Sequence, residues 1–313
     1  MSSSRVLTTD KLVRSVRNRA MVPDDRATYT DEVILEILNE EIDVSLLSTL
    51  MVLNEEHLVT HVDIPYNGEA RLKIPYRAVG NKLRDLAYVR GTEVYEMSRV
   101  SLEEISDYEG RFSNDNLHLF YIEGDEVVFF SDIDASFIRM YIYLRPNVLV
   151  QTERCGKIFS IDRDTGIIQL DNTPAELTNL GDMDFVQGRT PNKILNYDIR
   201  PIEASKNTNF IRFNPEDIPA DLVKGDYVTL AGETCVPNLP TEMHPLLAQY
   251  AAIYILEGLN DTEGLANANR KLQKMETSIM NILEDRVEGS PQKINPRHST
   301  LVQTGIRNRF FRS

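Results

Sequence analysis

The apolar positions divide this chain into helical ends and a β-patterned middle. Leu12, Val13, Val16 and Ala20 share one face of a helix predicted over residues 10–20, with Asp10 as its cap. Val22-Pro23-Asp24-Asp25 ends it. A second helix is predicted from Thr30, with Asp31 and Glu32 in the first turn, where carboxylates meet the positive end of the helix dipole. Its stripe of Val33, Ile34, Ile37, Leu38 and Ile42 continues through Leu46, Leu47, Leu50 and Met51. That carries the helix to about Leu53.

Beyond Leu53 the period changes and the chain becomes β-patterned. The runs 58–64 and 71–75 flank Pro65-Tyr66-Asn67-Gly68, and Asn-Gly between two such runs predicts a hairpin. Further strands are predicted over 86–90, 93–99, 118–123, 126–130 and 137–144, with Gly91-Thr92 and Gly124-Asp125 as turns. Ser101 to Ile105 reads as a short capped helix. The runs 157–162 and 167–170 bracket a hairpin turn at Arg163–Gly166. Residues 172–240 hold seven of the 14 prolines and read as loops with short strands at 209–213 and 227–230, a β-rich surface decoration.

Helical spacing returns after Pro245, a residue suited to a first helical turn. Leu246, Leu247, Tyr250, Ile253, Tyr254 and Leu256 form its stripe, and Gly258 with Asn260-Asp261 closes it. The next helix runs from Thr262 to about Val287. Its apolar positions Leu265, Ala268, Leu272, Met275, Ile279 and Ile282 are spaced 3-4-3-4-3, a heptad seam about 39 Å long at 1.5 Å rise per residue. An antiparallel hairpin with the preceding helix is favoured as its cover over a free coiled coil. After Gly289-Ser290-Pro291 the pattern stops. The fold class is therefore α+β: N-terminal helices (1–56) and a C-terminal helical hairpin (241–288) form one bundle, a β-rich region (57–240) is inserted between them, and 289–313 is an extended basic arm.

Composition adds little to that division, whereas charge adds more. With 26% charged and 42% apolar residues the chain is ordinary globular material. No run of about 18 apolar residues suggests a membrane span, and the first residues lack an apolar signal core, so a cytoplasmic origin is expected. The net charge of −14 argues against a primary grip on nucleic-acid phosphates. From Arg286 to Ser313 there are six basic residues against Glu288 alone, which leaves −19 on residues 1–285. An acidic body with a basic tail points to a tail that docks. Arg297, Arg307, Arg309, Phe310, Phe311 and Arg312 are the candidate docking residues, because Arg and aromatic side chains dominate interface hot spots.

Candidate chemistry changes the picture little. His57 and His61 lie at i, i+4, but Leu58 follows the first histidine where a zinc peptidase needs Glu. On a strand the two imidazoles stand about 13 Å apart. Asp164-Thr165-Gly166 matches an aspartic-protease triplet, yet Arg163 precedes it and its position between two β runs reads as a turn. Cys155 and Cys235 match no metal or redox spacing and read as free buried thiols. No phosphate loop or nucleophile elbow is present, so no catalytic residue, cofactor or metal is assigned and a non-enzymatic, self-assembling structural role is expected.

Two stretches then matter together. The first is Ser15-Val16-Arg17-Asn18-Arg19-Ala20-Met21-Val22-Pro23, Thr30-Asp31-Glu32-Val33-Ile34, Asn39-Glu40-Glu41 and Ile74-Pro75-Tyr76-Arg77-Ala78-Val79-Gly80-Asn81-Lys82-Leu83-Arg84-Asp85. The second is Leu239-Pro240-Thr241-Glu242-Met243-His244-Pro245-Leu246-Leu247, Tyr250-Ala251-Ala252, Asn260-Asp261, Lys274-Met275-Glu276 and Arg286. Across the first 100 and last 75 residues or so, the chain resembles head-to-tail connector (adaptor) proteins of tailed bacteriophages, among them those of short-tailed, crAss-like phages. The resemblance implies a closed ring, usually of twelve copies, in the virion neck beneath the portal protein. Its wall is a helical bundle, a C-terminal arm reaches the portal, and other neck or tail proteins attach below. Genomic DNA passes through the lumen without specific binding. Residues 146–238 fall outside the resemblance. A tail-side stopper or tail-tube terminator, and a virion-associated hydrolase using Asp164 or His61, are the alternative readings.

Overall fold

A computed structural model describes residues 6–23, 28–101, 118–130 and 133–283. Helix α1 (Thr9–Ala20) buries Leu12, Val13, Val16 and Ala20. It starts one residue earlier than expected. Thr8 occupies the cap position without a side-chain cap bond, and Asp10 sits in the first turn, where its charge still favours the positive helix end. Met21, left-handed at φ 54°, ends the helix by returning its N–H to Arg17 O. Helix α2 (Asp31–Glu41) is capped by Thr30, whose Oγ1 accepts from Val33 N at 3.4 Å. A π-helical turn, Ile42–Leu46, joins it to α3 (Leu47–Leu53).

That wide turn has a packing reason. Leu38, Ile42, Leu46 and Leu50 are all buried, four residues apart. At 3.6 residues per turn such a row drifts off its face, and one wider turn brings it back over the core.

Helix α4 (His244–Gly258) follows a 3₁₀ turn at Thr241–Met243 and packs against α1, α2 and α5 (Thr262–Leu283). Of the expected stripe, Leu246, Leu247, Ile253 and Leu256 are buried and Tyr250 packs against the same core, but the helix buries more than that stripe. Ala248, Ala251, Ala252 and Ile255 are buried as well, while Tyr254 is about half exposed. A helix that is apolar nearly all round is the centre of a bundle rather than its edge. The N- and C-terminal helices therefore share one core, in which Leu12, Ile34 and Leu46 meet Leu246, Ile255 and Ile279.

The first β region contains β1 (Val59–Pro65), β2 (Arg71–Lys73), β3 (Ala78–Arg90), β4 (Glu93–Glu96), β5 (Ser98–Arg99), β6 (Leu119–Glu123), β7 (Glu126–Phe129) and β8 (Phe137–Leu144). They form two four-stranded sheets, β1-β8-β3-β4 and β2-β7-β6-β5, which share a core that includes Leu86, Phe120, Val127, Ile138, Met140 and Ile142. The expected turns at Gly91-Thr92 and Gly124-Asp125 close hairpins, pairing Arg90 with Glu93 and Glu123 with Glu126. The Asn67-Gly68 hairpin does not form. β1 pairs along its whole length with β8, Ile64 opposite Ile138, and β2 pairs with β7. A seven-residue ladder onto the buried face of β8 outweighs a local turn, and Asn67-Gly68 instead passes the chain between sheets. The short helix expected over 101–105 falls on residues 102–117, outside the described residues apart from Ser101.

In the second β region the strands expected at 209–213 and 227–230 form, and further strands within 172–240 replace the expected loops. The region comprises β9 (Val148–Leu149), β10 (Gly156–Asp162), β11 (Ile167–Leu170), β12 (Met183–Val186), β13 (Ile194–Ile199), β14 (Glu203–Ser205), β15 (Phe210–Arg212), β16 (Tyr227–Leu230) and β17 (Glu233–Thr234). Seven of these make one sheet, β13-β12-β16-β10-β11-β15-β14, and β9 pairs in parallel with β17. The sheet has its own core, where the Phe185 and Phe213 rings meet edge-to-face at 4.9 Å. The stretch is thus a built layer with an interior, and its strands are short because turns and prolines interrupt them.

Candidate functional site: the bundle faces and the polar junction

Of the seam residues, Leu265, Leu272 and Met275 are half-buried against the bundle core and Ile279 is buried within it. Ile282 stands outside the core of the single chain. It is 56% exposed, and Leu283 packs inward in its place. The step from Ile279 to the next core contact is four residues rather than three, as a straight helix lying along α4 requires and a heptad repeat does not. Polar contacts hold the same faces together. Arg19 Nη1 donates to Gln249 Oε1 at 2.5 Å, Gln249 Nε2 donates to Ala268 O at 3.2 Å, and Tyr250 donates to Glu276. Burial, then the Glu276 carboxylate, pushes the Tyr250 hydroxyl pKa up, while burial lowers that of Arg19. The docking residues Arg297, Arg307, Arg309, Phe310, Phe311 and Arg312 lie outside the described residues.

Apolar side chains remain on the bundle surface. Met21 is 90% exposed, Val52 85% and Val44 69%, and Tyr254 and Met280 are each about half exposed. Exposed apolar residues scattered singly are ordinary in folded proteins.

The bundle is tied to the second β region through the start of the described chain. Thr9 N donates to Cys235 O at 2.9 Å, and Leu7 N donates to His244 Nδ1 at 3.3 Å. With Nδ1 an acceptor, the ring carries its proton on Nε2, which lies 3.2 Å from Leu239 O. His244 is fully buried at the start of α4, and burial lowers its pKa to about 4, so it is neutral near pH 7.

A buried polar cluster joins the two β regions. Arg77 Nη2 donates to Asp184 Oδ2 at 2.9 Å and to Asn147 Oδ1 at 2.7 Å. The same Asp184 oxygen accepts from Asn147 Nδ2 at 2.7 Å and from Gly232 N at 3.0 Å, while Oδ1 accepts from Asp198 N at 3.0 Å. Asn147 Nδ2 also reaches Glu233 O at 2.9 Å, and the guanidinium lies over the Tyr197 ring at 5.4 Å. Nothing in the local sequence around Arg77 announces this role. The one hint is Asp184 itself, an acid inside the apolar run Met183-Asp184-Phe185-Val186, where a buried charge needs a partner.

The remaining sequence candidates are not drawn into one site. His57 ends a 3₁₀ turn (Glu55–His57), whereas His61 lies on β1 with its ring 6.0 Å from Tyr141. His57 borders a cleft with Thr60, Gln187, Lys193, Asp221 and Asn238. Burial, then the charge of Lys193, lowers its pKa to about 4. Asp164-Thr165-Gly166 forms the β10–β11 turn. Asp162 accepts from Thr165 Oγ1 at 2.7 Å and from Asp164 N at 3.2 Å. Gly166, at φ +74°, has Phe213 O only 2.1 Å from where a Cβ would stand, so this glycine serves a close backbone approach. Among the described residues, no group of three or more His, Cys, Asp or Glu side chains is placed to hold a metal ion, and no helix is long and apolar enough to cross a membrane. Neither a scan of protein-family models nor a search of curated proteins returns a match for this chain.

Proposed function

We propose that this chain is a structural virion protein, a head-to-tail adaptor whose copies form a ring beneath the portal and link capsid to tail. One observation carries the reading. The two stretches that resemble phage adaptors lie at opposite ends of the sequence, and their helices share one core, with α1 against α4 and α4 against α5. The exposed Met21, Val44, Val52, Tyr254 and Met280 supply apolar area for a neighbouring copy. The acidic body repels the DNA backbone, so that duplex slides through the ring rather than sticking to its wall. The basic C-terminal residues with Phe310 and Phe311 engage the portal.

Negative-stain microscopy of the purified protein, alone and mixed with the portal protein of the same virion, tests this. Closed rings, or rings that form on mixing, are expected. A strict monomer that never joins portal overturns the reading, and a virion map with the chain away from the portal favours a tail-side stopper or terminator instead. Deleting Arg307–Ser313 is expected to leave the thermal unfolding curve unchanged while weakening retention on immobilised portal at least tenfold, a loss of about 1.4 kcal/mol or more. Equal retention would remove the arm from the mechanism.

A further inference from the structure

Cys155 and Cys235 are far apart in sequence, yet they sit in one small buried cluster with Val6, Val150, Tyr227 and Val236. The two side chains lie close enough that Cys235 raises the Cys155 thiol pKa. The flanking backbone is held in place independently of the sulfurs. Arg154, immediately before Cys155, pairs with Glu233 at 2.6 Å. Val150 N donates to Thr234 O at 2.8 Å, just before Cys235. Thr9 N caps the Cys235 carbonyl from above, and Val6 packs onto the cluster. Two buried cysteines in one cluster, each beside a paired strand and under a short N-terminal strap, form a site that neither bundle packing nor the polar junction uses.

We propose that Cys155 and Cys235 are a redox modification site that a disulfide oxidant converts into an intramolecular disulfide. One thiolate attacks the oxidant's S–S bond and forms a mixed disulfide, and half of the oxidant leaves as a thiol carrying one proton. The second cysteine, as thiolate, attacks the protein-side sulfur and expels the other half as a second thiol. Two protein thiols are oxidised and one oxidant disulfide is reduced to two thiols, with both protons accounted for. The product links the entry to β10 with the segment that leads into α4 and closes a loop of about 80 residues. It cross-links two segments of the second β region, beside the bond from Thr9 N to Cys235 O that ties this region to the bundle. The contact with Cys235, then burial, holds the Cys155 thiol well above its ordinary pKa, so exchange waits for the Val6–Thr9 strap to open.

The test uses the full chain with oxidised glutathione at pH 8, once in buffer and once in urea below the unfolding transition, which admits the reagent and is then dialysed away. The protein is next denatured, alkylated and weighed. The expected product is two hydrogens lighter, carries no alkyl group, yields one cross-linked peptide containing Cys155 and Cys235, and reverts with dithiothreitol. Its Tm is expected to rise by about 5 °C or more. Two alkylated cysteines, or two glutathione adducts, after the urea step overturn the pairing. A cross-link without a rise in Tm overturns the expected stabilisation. Cys155→Ser and Cys235→Ser should each retain one glutathione and gain no Tm. If either fails to fold, the wild-type peptide map and melting curve still decide.

Discussion

Asp184→Ala is expected to cost about 3–5 kcal/mol of folding stability, the scale for removing one partner of a buried ion pair. The carboxylate is fully buried and receives Arg77, Asn147 Nδ2, Gly232 N and Asp198 N. Truncation leaves an almost fully buried guanidinium with only the longer 3.4 Å ion pair to the partly exposed Asp198, and leaves donors from three other residues without this acceptor. Asp184→Asn should also be costly. It keeps the shape but removes the charge, and it turns a donor toward Asp198 N in one orientation or toward Asn147 Nδ2, Gly232 N and Arg77 in the other. Arg77→Met combined with Asp184→Leu should lose less than the sum of the single changes, because the only charge left unpaired is the partly exposed Asp198. Urea denaturation of wild type, Asp184→Ala, Asp184→Asn, Arg77→Met, Asp184→Leu and the double variant measures this. A loss below about 1 kcal/mol for Asp184→Ala would mean that the junction is not a stability element. The effect extends beyond local packing, since Arg77 lies between β2 and β3, Asp184 on β12 and Gly232 between β16 and β17. The cluster therefore holds the two β regions at one angle.

Such a junction marks the limit of what the amino-acid pattern conveys. Helices α1, α2, α4 and α5 are legible because each repeats apolar residues at helical spacing over more than two turns. Hairpins β3–β4, β6–β7 and β10–β11 are legible because each has its turn residues between its own strands. The reading fails wherever the partner is remote. β1 has a strong turn signal beside it and pairs with β8 some 80 residues away. β12 looks like loop because Asp184 breaks its apolar run, although that acid is the residue buried against Arg77, 107 positions earlier. Seam residues Leu265, Leu272, Met275 and Ile279 face the core as their spacing implies. Ile282 does not, since three-four spacing and a straight helix diverge after a few turns. The Cys155–Cys235 contact has no local signature at all, because it is made by the pairing of β9 with β17 and of β10 with β16.

Acid should loosen the same framework through its buried histidines. His244 and His57 are both lowered to about 4 in the folded chain, against an ordinary value of 6.5 that the unfolded chain regains. Below pH 6.5 the unfolded state therefore binds more protons than the folded one, and stability falls as the pH is lowered. Their contribution is complete above pH 6.5 and is lost progressively down to about pH 4, at about 1.4 kcal/mol per pH unit for each histidine. For the fully buried His244 the whole window is worth about 3 kcal/mol. Protonation puts a hydrogen on Nδ1, which faces the Leu7 N–H, so the first contact to open is the one that ties the N-terminal segment to α4. His57 lies close enough to feel the charge of His244, and Lys193 is beside it, so a proton on either ring opposes one on the other. Denaturant melts between pH 4.5 and 7 check this. His244→Asn keeps an acceptor for Leu7 N but cannot titrate, and its stability should depend on pH less steeply by about 1.4 kcal/mol per unit across that window. If wild type and His244→Asn have parallel profiles, His244 titrates alike in the folded and unfolded chain. In that case burial does not depress its pKa, and the acid sensitivity of the contact between Leu7 and α4 does not come from this ring.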